Sequence, residues 1–258
     1  NDLCHVAYSF IKEGDMYEKA MGDFILDWFD SKSYVELTTS GTTGSPKMVR
    51  IEKQAMVNSA IATGDFFDLH PGDKALHCLP CKYVAGKMMF VRALILGLDM
   101  DVVEPSSHPV VKKDVKYDFV AMVPMQVQNS ITKLENVEKL IIGGSKIDDE
   151  LVKELSTLKT QVFETYGMTE TLTHIAAKKI KEEAFHLLPN INITQDDRNC
   201  LVIDAPGIAV ESVVTNDLIE LVGDRQFLLI GRIDNVINSG GIKLIPEQIE
   251  DKLISKIN

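Results

Sequence analysis

Three short apolar runs set the frame of the chain: Phe119-Val120-Ala121-Met122-Val123, Lys139-Leu140-Ile141-Ile142 and Gln161-Val162-Phe163. They recur about every 20 residues with helical patterns between them, one containing Gln126 to Leu134 and the other placing Ile147, Leu151, Leu155 and Leu158 on one face. Strand-helix-strand at this spacing predicts βαβ units and a parallel sheet. The preceding stretch continues the alternation, with a helix around Ala55 to Phe66, a strand around Ala75 to Leu79 and a helix around Lys87 to Leu96. Pro124, Gly143-Gly144-Ser145 and Thr165-Tyr166-Gly167 each follow one of the three apolar runs. These clusters therefore lie beyond the carboxyl ends of parallel strands, where open α/β sheets bind ligands, and a nucleotide-sized ligand is expected there.

After residue 190 the texture changes to short runs: Leu201-Val202-Ile203, Val210 to Val214, Leu218 to Leu221 and Phe227 to Ile230, with a bend at Val222-Gly223-Asp224-Arg225. Residues 191–232 thus read as a small antiparallel β subdomain following an α/β part over residues 1–190. Asp234-Asn235 reads as a linker. The last helix, Pro246 to Ile257, opens on proline, whose missing N–H costs nothing at a helix start.

With 258 residues, 45% of them apolar and 25% charged, the chain can bury a large core as one or two domains. A net charge of −11 argues against nucleic acid as a partner, since phosphodiester binding needs a basic footprint. No apolar run approaches the roughly 20 residues of a spanning helix, and no signal peptide opens the chain, so neither a membrane partner nor secretion is expected. Cys78-Leu79-Pro80-Cys81 has the spacing of redox or metal sites, but no second pair accompanies it, and buried, reduced cysteines in a cytoplasmic protein are the preferred reading.

The chemistry concentrates in Thr38-Thr39-Ser40-Gly41-Thr42-Thr43-Gly44-Ser45-Pro46-Lys47, which follows the strand-like Tyr34 to Leu37. Glycines let the backbone approach a ligand, successive N–H groups form an anion-sized concavity, and Lys47 adds a full charge. The loop reads as a phosphate cradle. Its spacing is not that of a Walker loop, because Pro46 stands where the second glycine would be.

The loop resembles the phosphate loop of the acyl-adenylate-forming enzymes, the family of acyl-CoA synthetases, aryl-CoA ligases, luciferases and peptide-synthetase adenylation domains. Three further blocks follow in that family's order: Phe163 to Thr171, then Asp217 with Gly231-Arg232-Ile233-Asp234-Asn235, then Ser239 to Glu250. The resemblance implies an adenylate-binding core over 1–190 and, over 233–258, the hinge and the start of a truncated C-terminal domain. It implies ATP, Mg²⁺ and coenzyme A as cofactors and a small-molecule carboxylate as substrate. Thr38, Ser40, Gly41, Thr42, Thr43, Gly44 and Lys47 would face the β- and γ-phosphates. Thr169 would reach the α-phosphate and Glu170 the Mg²⁺. Gly143, Gly144, Ser145, Thr165, Tyr166 and Gly167 would surround adenine, and Asp217 and Arg232 the ribose. Asp234 would be the pivot, and Gly240-Gly241 the passage for a pantetheine arm. Bland readings stand beside these: Ser145-x-x-Asp148 and Thr169-Glu170 also read as helix caps, and His174 as a hydrogen-bonded structural residue.

The pattern departs from the family at its end, where the late lysine of the C-terminal domain has no counterpart before Asn258, so a fragment or a truncated compact member with weakened adenylation is expected. Leu79 to Met89 resembles the substrate motif of the o-succinylbenzoate–CoA ligases of menaquinone biosynthesis, with Tyr83 in place of an aromatic or histidine. On that resemblance Tyr83 and Lys87 are candidates for binding the acid, Lys87 for its distal carboxylate. Another aryl- or acyl-CoA ligase, or a non-catalytic adenylate binder, are the alternatives.

Overall fold

The computed structural model describes residues 2–38, 48–239 and 242–257. Two helices open the chain, α1 (Asp2–Glu13) and α2 (Met16–Phe29), followed by an antiparallel ribbon of β1 (Tyr34–Thr38) and β2 (Met48–Glu52). Helix α3 (Lys53–Phe67), strand β3 (Lys74–His77), helix α4 (Val84–Leu96), and strands β4 (Asp99–Val102) and β5 (Tyr117–Met122) come next. A short helix α5 (Pro124–Gln128) then leads to β6 (Val137–Ile142), α6 (Asp149–Leu155) and β7 (Gln161–Gly167). The remaining strands are β8 (His174–Lys179), β9 (Phe185–Leu187), β10 (Asn192–Gln195), β11 (Cys200–Asp204), β12 (Val213–Leu221) and β13 (Gln226–Arg232). A hairpin of β14 (Ile237–Ser239) and β15 (Ile242–Leu244) precedes helix α7 (Pro246–Ile257).

Eleven of these strands form one sheet in the order β10-β11-β12-β13-β9-β8-β7-β6-β5-β3-β4. The half from β4 to β7 is parallel, as the βαβ spacing predicts, and every pairing beyond β7 is antiparallel. The antiparallel strands expected over 191–232 are present, and they continue the parallel sheet through β9 rather than standing apart from it. Buried Tyr117, Val120, Leu140, Ile142 and Val162 pack against α6 residues Leu151 and Leu155. Phe119, Ala121 and Ile141 face Phe67, Met89 and Ala93 of α3 and α4 on the other side. The strands carry apolar residues at consecutive positions because both sheet faces are covered.

Several boundaries differ from the sequence expectation. The helix expected over Gln126 to Leu134 stops at Gln128 and resumes as a 3-10 turn over Ile131–Asn136. Asn129 and Ser130, poor helix formers, make the break, and the tighter turn delivers Leu134 to the core at 0% exposure. Val210 is fully exposed and lies outside the strand that was expected to start there. The run from Val213 to Leu221 is a single strand, with its register shifted between Leu218 and Ile219. At α6, Asp148 and not Ser145 is the N-cap: its carboxylate accepts from the Leu151 N–H at 2.8 Å.

Candidate functional site

The carboxyl ends of β3, β5, β6 and β7 open into a cavity of about 260 Å³. Its floor is apolar, made by Leu79, Ala121, Met122 and Ile141, and its walls come from the start of α4 and the β7–β8 connection. Gly143 and Gly144 cross one side, as the strand-end argument requires. Gly144 has φ +97°, a conformation that favours glycine. Thr165 stands beside them, its hydroxyl donating to the Ile142 carbonyl at 3.0 Å.

Gly167 marks the bulge where β7 leaves its register with β8. A Cβ there would lie 2.3 Å from the Thr173 carbonyl oxygen and 2.5 Å from the His174 Cα, so only glycine lets the returning chain pack this closely. The bulge aims Met168 and Thr169 at the cavity. Thr169–Thr171 form a 3-10 turn, and Glu170 on that turn is exposed. Glu170 and His174 do not share a helix face, because the chain turns into β8 between them. No group of three or more His, Cys, Asp or Glu side chains among the described residues could hold a metal alone. A single exposed carboxylate such as Glu170 could hold Mg²⁺ only together with substrate phosphates, since that ion takes one or two carboxylates and completes its shell with phosphate oxygens and water.

The cavity also holds a cation that the sequence reading passed over. Arg92, on the inner face of α4, is 2% exposed and lines the cavity. Its Nε donates to Thr63 Oγ1 at 3.3 Å and its Nη2 to Thr173 Oγ1 at 3.1 Å. Nη2 also lies 3.5 Å from His174 Nδ1, and Nη1 is 3.7 Å from Met89 Sδ. All these acceptors are neutral, and no carboxylate among the described residues forms an ion pair with it. Burial lowers its pKa to about 10, which leaves it charged at neutral pH. Burial and the neighbouring Arg92 charge hold His174 well below the usual histidine range, hence neutral. A lone arginine within the apolar run Met88 to Leu96 was the sequence signal for this residue.

A second cluster lies one residue from the cavity rim. The Tyr166 hydroxyl donates to Asp217, which is 9% exposed. Arg232 approaches the same carboxylate at 3.8 Å and pairs with Asp234 at 3.0 Å. The amide of Asn216 also donates to Asp234, at 3.2 Å. Tyr166, Asp217, Arg232 and Asp234 are thus brought together in one cluster. The Tyr166 ring is 8% exposed and packs edge-on against Phe227, so most of it belongs to the core. Burial, and then the Asp217 carboxylate, push its phenol pKa far up.

Other expected residues fall elsewhere. Ser40, Gly41, Thr42, Thr43, Gly44 and Lys47 lie outside the described residues, as do Gly240 and Gly241. Thr38 closes β1. Ser145 is exposed and yields the cap to Asp148. Tyr83 is 48% exposed at the α4 N-cap. Lys87 does not reach the strand-end cavity. Its Nζ sits 4.4 Å above the Phe24 ring and faces a separate groove with Asp23 and Asp27 of α2, because position 87 lies on the α2 side of α4. Cys78 and Cys81 are free and buried: Cys78 donates to the Ala121 carbonyl and Cys81 lies 3.5 Å from His77 Nε2. Burial pushes both thiols up to about 12. Among the described residues no helix is long and apolar enough to cross a membrane.

The chain is 27% identical over 262 residues to the 2-succinylbenzoate–CoA ligase of Oceanobacillus iheyensis, covering 86% of this chain and 54% of that one. It is 27% identical over 257 residues to the Lactococcus lactis ligase of the same name, covering 89% and 56%. The chain therefore spans about half the length of these curated relatives. Among solved structures, an acyl-CoA synthetase (AMP-forming)/AMP-acid ligase II-like protein from Dyadobacter fermentans aligns with a TM-score of 0.82 at 36% identity, over 97% of this chain and 75% of that one. The Bacillus subtilis o-succinylbenzoate coenzyme A synthetase in complex with ATP and magnesium ion shares the fold, with a TM-score of 0.71 at 20% identity over 86% and 54%. Residues 31–207 match the AMP-binding enzyme family, and the chain belongs to it.

Proposed function

We propose that this chain carries the nucleotide and acid sites of an AMP-forming acid–CoA ligase acting on an acid with a second carboxylate, of the o-succinylbenzoate type. The observation that carries this reading is Arg92, a buried guanidinium at the wall of an apolar cavity with only neutral partners. A buried charge without a counter-ion is costly, and an anionic substrate group removes that cost. After one carboxylate is adenylated, the other still needs a cation, and Arg92 offers its Nη1 donors, whose partner in the protein is the Met89 sulfur at 3.7 Å. The 2-succinylbenzoate–CoA ligase names of the relatives support the same substrate class, and a place in menaquinone biosynthesis follows from it.

The other roles follow the chemistry of adenylation, in which a carboxylate oxygen displaces pyrophosphate from the α-phosphorus of ATP. Negative charge gathers in that transition state, so donors fixed in advance lower its energy. Lys47 and the backbone of Ser40 to Gly44 take the β- and γ-phosphates, Thr169 the α-phosphate, and Glu170 the magnesium. Bound magnesium would neutralise phosphate charge. Gly143, Gly144 and the edge of Tyr166 flank adenine, with Asp217 and Arg232 at the ribose. Asp234 serves as the pivot, and Gly240-Gly241 admit the pantetheine arm of coenzyme A for thioester formation. The reading implies a cytoplasmic enzyme.

Carboxylate-dependent ATP–pyrophosphate exchange by the full-length protein tests this. o-Succinylbenzoate supports exchange, and Arg92→Gln raises its KM about 10–100-fold with the KM for ATP unchanged. Absence of exchange with any aryl or acyl carboxylate overturns the reading.

A further inference from the structure

The hydrogen bonds around Arg92 fix a proton that the adenylation chemistry does not use. Thr63 has one hydroxyl proton, and it is donated to the Ser59 carbonyl one helical turn back, at 2.9 Å. Thr63 Oγ1 can then only accept, and it faces Arg92 Nε at 3.3 Å and His174 Nε2 at 3.4 Å. His174 must therefore carry its proton on Nε2. Its Nδ1 is left with a lone pair, and that lone pair faces Arg92 Nη2 at 3.5 Å and Thr173 Oγ1 at 3.2 Å. Thr173 Oγ1 in turn accepts from Arg92 Nη2 and keeps its own proton for His174. This assignment gives both imidazole nitrogens and both threonine hydroxyls a partner.

The geometry points to His174 as the positioning residue of the acid site: its Nε2–H tautomer ties Arg92 to α3 and holds the guanidinium against the cavity wall for the substrate's second anionic group. The inference rests on the dicarboxylate reading above. The groups packed on the imidazole are few. Arg92 comes from α4, Thr63 and the Phe67 ring from α3, the latter with centroids 6.1 Å apart, and Thr173 from the chain just before β8. Arg92 is the only charge among them. Protonating His174 would put a second cation beside Arg92 and remove the Nδ1 acceptor, so the arrangement requires a neutral ring. Little in the local sequence signals this, because His174 stands beyond the block from Phe163 to Thr171, and Arg92 and Thr63 are 82 and 111 positions away, with only Thr173 adjacent.

Long-range ¹⁵N imidazole spectra of this chain test the tautomer directly, and the His174→Gln spectrum identifies the His174 signals among the six histidines. A pyridine-like Nδ1 and a pyrrole-like Nε2, unchanged between about pH 8 and pH 6, are expected for a ring kept neutral in this range. In the full-length enzyme, His174→Leu should lower the preference for o-succinylbenzoate over its monocarboxylic analogue about tenfold, through KM for the acid and not for ATP. His174→Gln should restore it, since the amide presents an acceptor and a donor at the same spacing. A ring protonated on Nδ1, or on both nitrogens at pH 7, overturns the role of His174 even if the His174→Leu protein fails to fold. So does a folded His174→Leu enzyme with its preference intact. A wild-type enzyme indifferent to the second carboxylate, yet with the expected tautomer, overturns the dicarboxylate reading itself.

Discussion

The Tyr166 hydroxyl donates to the Asp217 carboxylate at 2.5 Å, joining the end of β7 to β12 across 51 positions of sequence. The bond matters to both residues. Asp217 is nearly buried, and its other charged neighbour, Arg232, stands at 3.8 Å and is shared with Asp234. Tyr166→Phe removes the donor and leaves a buried carboxylate short of one bond, which costs about 1–3 kcal/mol of stability. With Asp217 at the ribose as proposed above, the same change frees its carboxylate to turn away, and the affinity for AMP should fall several-fold. Thermal denaturation and calorimetry on the chain check the two effects. Unaltered melting and unaltered AMP affinity together would mean that the bond contributes nothing.

Gly167→Ala acts through packing alone. The new methyl meets the Thr173 carbonyl and the His174 Cα, both backbone atoms that cannot rotate away. Overpacking of this kind costs about 1–3 kcal/mol. The relief available is to push the β7–β8 connection outward, which carries Thr173 and His174 away from Arg92. Binding of an acyl-adenylate analogue should therefore weaken more than the loss of stability accounts for. An alanine variant with normal melting and normal binding would show that the bulge tolerates a side chain.

How far these features were legible in the sequence depends on whether the cause was local. Strands β5, β6 and β7 are contiguous apolar runs, and the glycines and threonines after them follow from their position at strand ends. The hairpin of α1 and α2 has no counterpart in the sequence-based expectations, although Leu3, Ala7 and Phe10 recur at helical spacing and pack into one core cluster with Met21, Phe24 and Ile25. Asp217 and Asp234 were found through motifs, but their partners Tyr166 and Asn216 are set by sheet order. The Arg92 cluster was the least legible part. It joins α3, α4 and the start of β8, and no local pattern encodes a contact between residues 63, 92 and 174.

Asp101 on β4 gathers Lys74 at 2.9 Å, Lys112 at 3.0 Å and the Tyr117 hydroxyl at 3.0 Å. The hydrogen bond from Lys74 foremost, with Lys112 and Tyr117, holds its pKa down at about 2. A depressed carboxylate contributes stability that is fully present above its unfolded pKa of about 3.9 and lost as pH falls through the folded value. Asp101→Asn should therefore destabilise the chain by about 1–2 kcal/mol at pH 7. The gap to wild type should close between about pH 4 and pH 2, the window set by these two pKa values. Urea denaturation across that range measures it. A gap independent of pH would assign the loss to packing instead.

Lys87 separates the sequence expectation from the geometry. As the cation nearest the substrate motif it was the natural anchor for the acid's distal carboxylate, but its ammonium lies over Phe24 in the groove shared with Asp23 and Asp27. Arg92, five positions further along α4, is the cation that lines the strand-end cavity. Lys87→Met in the full-length enzyme should then leave the KM for o-succinylbenzoate within about twofold, where Arg92→Gln raises it at least tenfold. The two lysine forms also differ with pH in a stated direction. Burial lowers the Lys87 pKa below its ordinary value of 10.5, so the fold disfavours the charged form. Wild type should gain stability relative to Lys87→Met as pH rises from neutral toward that value. A tenfold rise in the acid's KM in Lys87→Met protein of unchanged melting temperature would return the anchor to Lys87 and take it from Arg92.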